Sequence, residues 1–382
     1  MKVSVLQENL VKGLSLVGRA VSTKTTLPVL ANILLSTDQS RLKLSATNLE
    51  IGINCWVGAK VEDEGAITVP ARLLSEYASS LPNDRVDMEL VLRTHTLNLS
   101  CARVKTNIKG IDAEEYPLIP VVTDTPTLTL PPDQLKEMIS QVAFAAAADE
   151  SRPVLAGVLA SFDGPNSTFT LAAADGFRLS VRTAPLPCGT EKLEVIIPAR
   201  TLHEVARILS AIDTANDGAV DITVTPNKSQ VLFHMNDVDV VSRLIEGSFP
   251  NYQQIIPKNY KTRTILNTMD FLRSTRRAAI FARDSANIVR LALNPGEELT
   301  PGRLTLSATA VEIGDNEEEM DALVEGEAMQ VAFNGRYLTD VLSALNSTQV
   351  SLETTGERSP GVLRPVGGEN LFTHVIMPMQ TR

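Results

Sequence analysis

The sequence is poor in cysteine and aromatic residues and has no excess of positive charge, and each shortage excludes a class of protein. Three scattered cysteines (Cys55, Cys101 and Cys188) among 382 residues give no disulfide framework, which is typical of a reducing cytoplasm. No apolar run approaches the ~20 residues of a membrane-spanning helix, and the polar first segment does not predict a signal peptide. The net charge of −10 argues against a simple basic nucleic-acid-binding protein.

Catalytic and metal-binding motifs are also missing. The sequence contains no P-loop, no G-x-G-x-x-G and no G-x-S-x-G, and its four histidines lack metal-ligand spacing. Ser248 lies in a predicted connector rather than at a strand-to-helix elbow. The acidic run from Asp315 to Glu319 is interpreted as a solvated loop or as a partner for basic residues elsewhere. We therefore expect no enzyme, no metal and no cofactor.

An internal repeat organises the whole chain. TLPVLANILLSTDQSRLKLSATNLEIG from Thr26 recurs in divergent form from Ser151 and from Ala286, and ITVPARLLSEYASSLPNDRVDMEL from Ile67 recurs from Val195 and Gln330. Pro-rich connectors that contain Tyr-Pro or Phe-Pro end the first two copies. The sequence therefore predicts three copies of one domain, over residues 1–123, 124–252 and 253–382.

Hydrophobic periodicity gives the anatomy of each copy. A leading helix has Leu6, Leu10, Leu14, Val17 and Val21 on one stripe, and a second helix follows each ProAlaArg-like segment, over 70–81, 198–212 and 334–346. Alternating strands between the helices suit antiparallel sheets with helices on one face. The predicted fold class is α+β, with three repeated domains of antiparallel sheets and two helices each.

Charge is distributed unevenly between the predicted helices and the rest of the chain. The six helical windows hold 11 basic and 7 acidic residues, a net charge of +4, which leaves −14 for the remainder. Arg72, Arg200 and Arg336 stand at matched positions at the start of the second helix of each copy. A surface shared by such helices would contact phosphates without sequence preference. Three similar domains in one chain form an arc with unlike ends. Two such chains can join head to tail into a ring of six domains with a twofold axis.

Five segments carry a resemblance to a known family. They are TLPVLAN (26–32), TVPAR (68–72), ADGFRL (174–179), SFPNY (248–252) and VIMPM (375–379), in order over three repeats. The sequence resembles a bacterial sliding clamp, the β subunit of DNA polymerase III. The resemblance implies a non-catalytic, cytoplasmic protein that forms a homodimeric ring around duplex DNA. Each chain would contribute three domains, half of the six-domain ring. It also implies a clamp loader and tethered partners, the DNA polymerase III α subunit and other clamp-motif proteins among them.

The resemblance, together with composition for the arginines of the fifth helix, also implies sites in this sequence. The implied DNA-binding residues are Lys24, Arg72, Arg152, Arg200, Arg207, Arg273, Arg276 and Arg277. The implied partner-binding cleft consists of Leu155, Gly176, Phe177, Arg178, Leu179, Pro250, Ile255, Tyr337, Val375, Met377, Pro378 and Met379. The implied dimer interface sets Thr106 and Ile108 against Ile280 and Phe281, and Arg103 and Lys105 against Glu317, Glu318 and Glu319.

Two other functions remain open on the sequence alone. One is a monomeric, repeat-built protein-interaction scaffold that does not bind DNA. The other is a hydrolase or transferase with a site between domains, which would need a nucleophile–base pair. Retention on closed circular DNA separates the clamp from both.

Overall fold

The computed structural model describes residues 1–22, 27–120, 125–149, 151–185, 192–212, 218–297, 301–367 and 371–380. The predicted DNA contact Lys24 and the cysteine Cys188 lie outside these residues. Two compact units contain the chain, one of residues 1–136 and 204–244, the other of residues 137–203 and 245–382. No helix in the described part is both long enough and apolar enough to cross a membrane.

Six α-helices and 26 strands make up the described structure. The helices are α1 (Gln7–Val17), α2 (Ala71–Ser80), α3 (Pro132–Val142), α4 (Ala199–Ala211), α5 (Thr268–Ala282) and α6 (Gly335–Ala344). The strands are β1 (Lys2–Leu6), β2 (Asn32–Asp38), β3 (Arg41–Thr47), β4 (Ile51–Val57), β5 (Ala59–Asp63), β6 (Ala66–Pro70), β7 (Arg85–Val91), β8 (Thr96–Cys101), β9 (Val104–Lys109), β10 (Leu128–Leu130), β11 (Gly157–Asp163), β12 (Thr168–Ala174), β13 (Arg178–Pro185), β14 (Leu193–Pro198), β15 (Val220–Val224), β16 (Gln230–Met235), β17 (Val238–Arg243), β18 (Thr262–Asn267), β19 (Ile288–Asn294), β20 (Arg303–Ala310), β21 (Gly314–Asp321), β22 (Leu323–Gly326), β23 (Met329–Asn334), β24 (Gln349–Thr354), β25 (Gly361–Pro365) and β26 (Phe372–Ile376).

The first unit contains two antiparallel sheets and the helix pair α1 and α2. A five-stranded sheet has the order β5-β1-β7-β8-β9, and an eight-stranded sheet has the order β10-β15-β16-β17-β4-β3-β2-β6. Leu10, Leu14 and Val17 of α1 are buried, as their helical spacing predicts. The eight-stranded sheet is continuous from the second repeat to the first because β17 pairs with β4.

The second unit has the same construction. A nine-stranded sheet has the order β14-β11-β12-β13-β26-β25-β24-β18-β22, and a four-stranded sheet has the order β21-β20-β19-β23. Helices α5 and α6 contribute Phe271 and Leu338 to a core that also contains Phe333 and Phe372. Here β13 of the second repeat pairs with β26 of the third, as β4 pairs with β17 in the first unit.

The structure confirms the predicted α+β class, with antiparallel sheets and two helices in each repeat. Two details of the prediction were wrong. Leu6 belongs to β1 and Val21 follows the end of α1, so the leading helix is shorter than its apolar stripe. The acidic run from Asp315 to Glu319 is not a loop, because it forms most of β21. The other interpretation of this run, a partner for basic residues, agrees with the ion pairs of Glu318 and Glu319.

Candidate functional site

The predicted basic surface consists of exposed arginine side chains on helices. Arg72 at the start of α2 has 91% of its side chain exposed. Its Nε donates a hydrogen bond to Oε1 of Glu76, one turn later, at 2.7 Å. Arg200 at the start of α4 is exposed, and no ion pair to it occurs within the described residues. Arg207, further along α4, pairs with Glu204 at 2.8 Å. These guanidinium groups are available for diffuse contacts with phosphate.

Helix α5 carries three further predicted contacts, and their local partners differ. Arg273 lies 3.7 Å from Asp270, and Arg276 donates to the Ser343 hydroxyl at 3.1 Å. Arg277 Nε donates to Glu318 at 2.9 Å, and this carboxylate raises the pKa of Arg277. The charge of Arg277 is therefore largely offset within the chain.

A concavity of about 570 Å³ lies between α5 and α6. The sequence did not predict that its lining residues come together. Arg276, Arg283 and Arg336 line it together with one carboxylate, Asp340. The matched-arginine pattern marked Arg336, but only the fold brings it beside Arg283. Three guanidinium groups around one hollow favour binding of a phosphate.

The predicted partner-binding cleft is built on the turn between β12 and β13, in the second unit. Oδ1 of Asp175 accepts the backbone N–H groups of Phe177 and Arg178 at 2.9 and 3.0 Å. Gly176 has φ +94°, a left-handed conformation that suits glycine. The turn leaves Phe177 59% exposed, and the exposed guanidinium of Arg152 lies next to Gly176.

Arg178 spans from this turn to helix α6. Its Nε donates to Asp175 Oδ2 at 3.0 Å, its Nη1 to Asp340 Oδ2 at 2.5 Å and its Nη2 to the Phe144 carbonyl at 2.8 Å. The guanidinium also lies 4.4 Å from the centroid of the Tyr337 ring. Because 10% of its side chain is exposed, Arg178 holds the cleft residues together and presents little surface to a ligand.

The apolar floor of the cleft is a cluster of Leu179, Val362 and Val375. Tyr252 and Ile256 of the connector pack against it, together with Ala174 and Val181. Leu179 and Val375 of the predicted cleft belong to this cluster, and the connector residues that pack against it are Tyr252 and Ile256 rather than the predicted Pro250 and Ile255. Pro250 and Ile255 are exposed, and Leu155 is half-buried in the turn before β11.

The chain end borders the same turn. The Met377 N–H donates to the Phe177 carbonyl and the Met379 N–H to the Ala332 carbonyl, both at 2.8 Å. Met377 is 36% exposed and Pro378 and Met379 are half-buried. Methionine side chains beside an exposed phenylalanine suit an adaptable surface for short apolar peptides.

Beneath the cleft lies one fully buried histidine, His374 on β26. Its Nδ1 and the Ser180 hydroxyl are 2.6 Å apart, and Nε2 has no partner within the described residues. Burial, with a smaller contribution from nearby Arg178, lowers the pKa of His374 to about 3. The imidazole is therefore neutral near pH 7, and its position argues for packing rather than catalysis.

The predicted interface residues lie on helix α5, on or next to β9, and on β21, and both strands are sheet edges in the described structure. Strand β9 pairs only with β8, and β21 pairs only with β20. Ile280 on α5 is 58% exposed, whereas Phe281 packs against the core of the third repeat. On β9, Thr106 is half-buried and Ile108 is 3% exposed. The Ile108 side chain is thus already enclosed by its own domain.

The charged interface residues are not equally available to a partner. Glu318 accepts from Arg277 and from the Ser274 hydroxyl, which lower its pKa. Glu319 pairs with Arg303 at 3.0 Å. Glu317 on β21 is exposed, and so are Arg103 and Lys105 next to and on β9. None of the three has an ion pair within the described residues. Of the three acids, Glu317 is therefore the one without a partner of its own.

A search of the described residues finds no group of three His, Cys, Asp or Glu side chains placed to hold a metal ion. Cys55 and Cys101 are buried, and burial raises the pKa of Cys55 to about 11. Such a thiol is a poor nucleophile near pH 7.

Known proteins similar to this chain match it over its full length, with one family model for each repeat. Family models of the DNA polymerase III beta subunit match residues 1–120 (N-terminal domain), 129–251 (central domain) and 253–380 (C-terminal domain). The beta sliding clamps of Synechococcus elongatus and Bacillus subtilis are 35% and 31% identical, each over 100% of both chains. Crystal structures of the DNA polymerase sliding clamp of Bacillus subtilis and the DNA polymerase III beta subunit of Pseudomonas aeruginosa superpose with TM-scores of 0.91 and 0.89, at 30% and 27% identity, over 100% of each chain.

Proposed function

Since the chain belongs to the DNA polymerase III beta subunit family, the beta sliding clamps, we propose that two copies close into a ring around duplex DNA. The ring tethers the DNA polymerase III α subunit and other proteins that carry clamp-binding motifs, and a clamp loader opens it. The chain itself has no catalytic role, and it acts in the cytoplasm.

The observation that carries this proposal is that the repeats pair edge to edge in the same way twice, and that one matching pair of strand edges is left over. In the first unit, β4 and β17 pair so that Ile51 lies opposite Ser242 and Cys55 opposite Val238. In the second unit, β13 and β26 pair in the same register, with Arg178 opposite Ile376. By repeat, β21 matches β4 and β13, and β9 matches β17 and β26. Only β21 and β9 lack this partner among the described strands.

The repeat also gives the register of the proposed contact. The cross-strand partners of β20 and β8, compared with those of β3 and β16, support a match of β21 and β9 with β4 and β17. From this match we infer that Lys105 lies opposite Glu317 of the second copy, and Thr106 opposite Asn316. Opposite charges across a ladder stabilise a strand pair, and an unpaired strand edge is available for pairing with another chain. Lys105 and Glu317, which have no ion pair within the described residues, would gain one on dimerisation.

The basic helices support a DNA-facing role for Arg72, Arg200, Arg207, Arg273, Arg276 and Arg277. Arg152 lies in the turn before β11, and its role stays an expectation from the family resemblance. We add Arg283 and Arg336, because they share the concavity with Arg276. These groups would contact backbone phosphates, so binding is independent of base sequence and weakens with salt. The overall negative charge then resides on other surfaces.

The cleft supports the tethering role. Phe177, Met377, Pro378 and Met379 form an apolar rim over the floor of Leu179, Val362 and Val375. A short peptide with apolar side chains fits this surface, and Arg178 and Tyr337 form one wall. We propose that the polymerase and the other partners compete for it.

Retention on DNA of different topology tests the function. The protein is loaded onto closed circular duplex DNA by a clamp loader and then separated from free protein by gel filtration in high salt. We expect retention on the circle and release after the circle is linearised, because a ring slides off free ends. Equal retention on linear and circular DNA would contradict encirclement, and a scaffold that does not bind DNA would be retained on neither.

A further inference from the structure

Asp340 on α6 takes part in two sites of the second unit. Its carboxylate accepts the Nη1 hydrogen bond of Arg178, which places it at the wall of the partner-binding cleft. The same residue lines the concavity with Arg276, Arg283 and Arg336. Its side chain is 43% exposed, so one carboxylate borders both the cleft wall and the basic concavity.

On the cleft side, Arg178 transmits the position of Asp340 to the peptide surface. The other guanidinium nitrogens of Arg178 are bonded to Asp175 and to the Phe144 carbonyl, and its plane covers Tyr337. Asp175 in turn holds the backbone of Phe177. A shift of the Asp340 carboxylate away from Arg178 therefore loosens the arrangement that positions Phe177 and Tyr337.

On the concavity side, Asp340 is the only carboxylate among the lining residues, which otherwise comprise the three arginines, Ala279, Asn287 and Thr339. The three guanidinium groups attract the carboxylate and so compete with its bond to Arg178, which is 2.5 Å long in the structure. An anion in the concavity neutralises them and repels Asp340, so the carboxylate stays with Arg178. The sign of the effect follows from Coulomb's law alone.

We propose that Asp340 couples anion binding in the α5–α6 concavity to peptide binding in the cleft, with Arg178 as the positioning residue between them. The proposal rests on the proposed function, because it assumes that both surfaces are used. The anion is a phosphate group, as in a nucleic-acid backbone, bound by three guanidinium groups without base contacts. Coupling is reciprocal, so peptide binding also strengthens anion binding by the same factor.

The test measures peptide affinity with and without a compact anion. The full chain is titrated into a fluorescein-labelled peptide from the clamp-binding segment of the DNA polymerase III α subunit, with and without inorganic tripolyphosphate at constant ionic strength. Tripolyphosphate binding is measured separately by calorimetry. Because water screens a half-exposed carboxylate, we expect about fivefold tighter peptide binding with saturating tripolyphosphate, at the low end of typical couplings.

Matched variants separate coupling from simple damage to the cleft. Asp340→Asn weakens peptide binding and abolishes the tripolyphosphate effect, and Asp340→Glu restores part of the effect. Asp175→Asn also removes a carboxylate that holds Arg178, but it does not line the concavity, so peptide binding weakens while the fivefold effect persists. Arg336→Ala weakens tripolyphosphate binding, so more tripolyphosphate is needed to reach the same gain in peptide affinity.

Three outcomes would overturn the coupling. Peptide affinity of the unaltered chain could be the same with and without saturating tripolyphosphate, Asp340→Asn could keep the full effect, or tripolyphosphate could fail to bind. A chain that binds no peptide in any buffer would instead contradict the proposed partner-binding function on which the coupling rests. A separate filter-binding measurement with a linear duplex shows whether the DNA-facing surface is intact.

Discussion

The proposed dimer contact can be tested on a single side chain, Ile280. Replacement by Asp removes an apolar group that is 58% exposed in the free chain. Full burial of an Ile side chain stabilises by about 1.5–3 kcal/mol, so the remaining exposed part is worth about 1–2 kcal/mol per contact. A twofold ring has two such contacts, which gives roughly 30-fold to 900-fold weaker dimerisation. Burying the new carboxylate without a cation adds to this loss.

The structure also selects the variant and its control. Phe281 packs against the core of the third repeat, so a double Ile280 and Phe281 variant would disturb folding as well as association. Leu323 on β22 is the matched control, because it is also 58% exposed and lies in the same repeat, but in the nine-stranded sheet rather than the four-stranded sheet that contains β21. Leu323→Asp should leave dimerisation unchanged.

Sedimentation velocity over a dilution series from micromolar to low nanomolar concentration measures the dissociation constant. Thermal unfolding of each variant checks that the fold is retained. A folded Ile280→Asp protein that dimerises as tightly as the unaltered chain would refute the interface. Equal weakening by Leu323→Asp would show that any new surface charge disrupts association, and the argument from Ile280 would fail.

Three further measurements test separate parts of the account. Lys105→Glu turns the proposed attraction to Glu317 into repulsion at both contacts, so dimer dissociation rises about fivefold to thirtyfold at low salt. The double exchange Lys105→Glu with Glu317→Lys should recover it in the same sedimentation assay. Arg200→Ala removes one phosphate contact per chain and two per ring, which lowers the magnitude of the slope of log affinity against log salt by about 1.8 in anisotropy titrations with a linear duplex. Arg41→Ala should not change the slope, because Arg41 is paired with Asp237. The pKa of His374 is about 3 in the folded chain against an ordinary 6.5, so the unfolded chain takes up a proton that the folded chain does not as pH falls below 6.5. Stability from this residue is therefore present above pH 6.5 and lost by about 1.4 kcal/mol per pH unit below it. His374→Gln should remove that part of the slope in urea unfolding between pH 6.5 and 5, and an unchanged slope would contradict the burial argument.

Repeats and periodicity were enough to predict the fold, because each copy contains the same local signals. The matched arginines at the starts of the second helices, Arg72, Arg200 and Arg336, lie on or beside α2, α4 and α6 as expected. The domain boundaries at residues 123 and 252 stay a prediction. Strand β21 was missed because its sequence, GDNEEEMD, is mostly acidic, so no alternation of apolar and polar residues marks it. Its strand character comes from pairing with β20.

The site was less predictable, because its contacts join residues far apart in sequence. Arg178 and Asp340 are separated by 162 positions, and nothing in the composition around either residue indicates the other. The resemblance assigned Arg178 to the predicted cleft, and in the structure its guanidinium is bonded to Asp175, Asp340 and Phe144. In the same way, Glu318 was expected to face a partner, yet Arg277 on the adjacent helix holds it.

The unpaired edges of β9 and β21 have a consequence for how such a ring opens and how long it stays closed. In the proposed ring, two identical chains that join edge to edge share two equivalent interfaces, and one interface can open while the other holds the two subunits together. Reclosure of a single open interface is then intramolecular, with an effective concentration that dilution cannot lower. Dissociation into single chains requires both interfaces to open, so a dilution experiment reports their combined strength. Release from a DNA circle would require only one interface to open, so the lifetime of the dimer and the lifetime of the ring on DNA should differ widely.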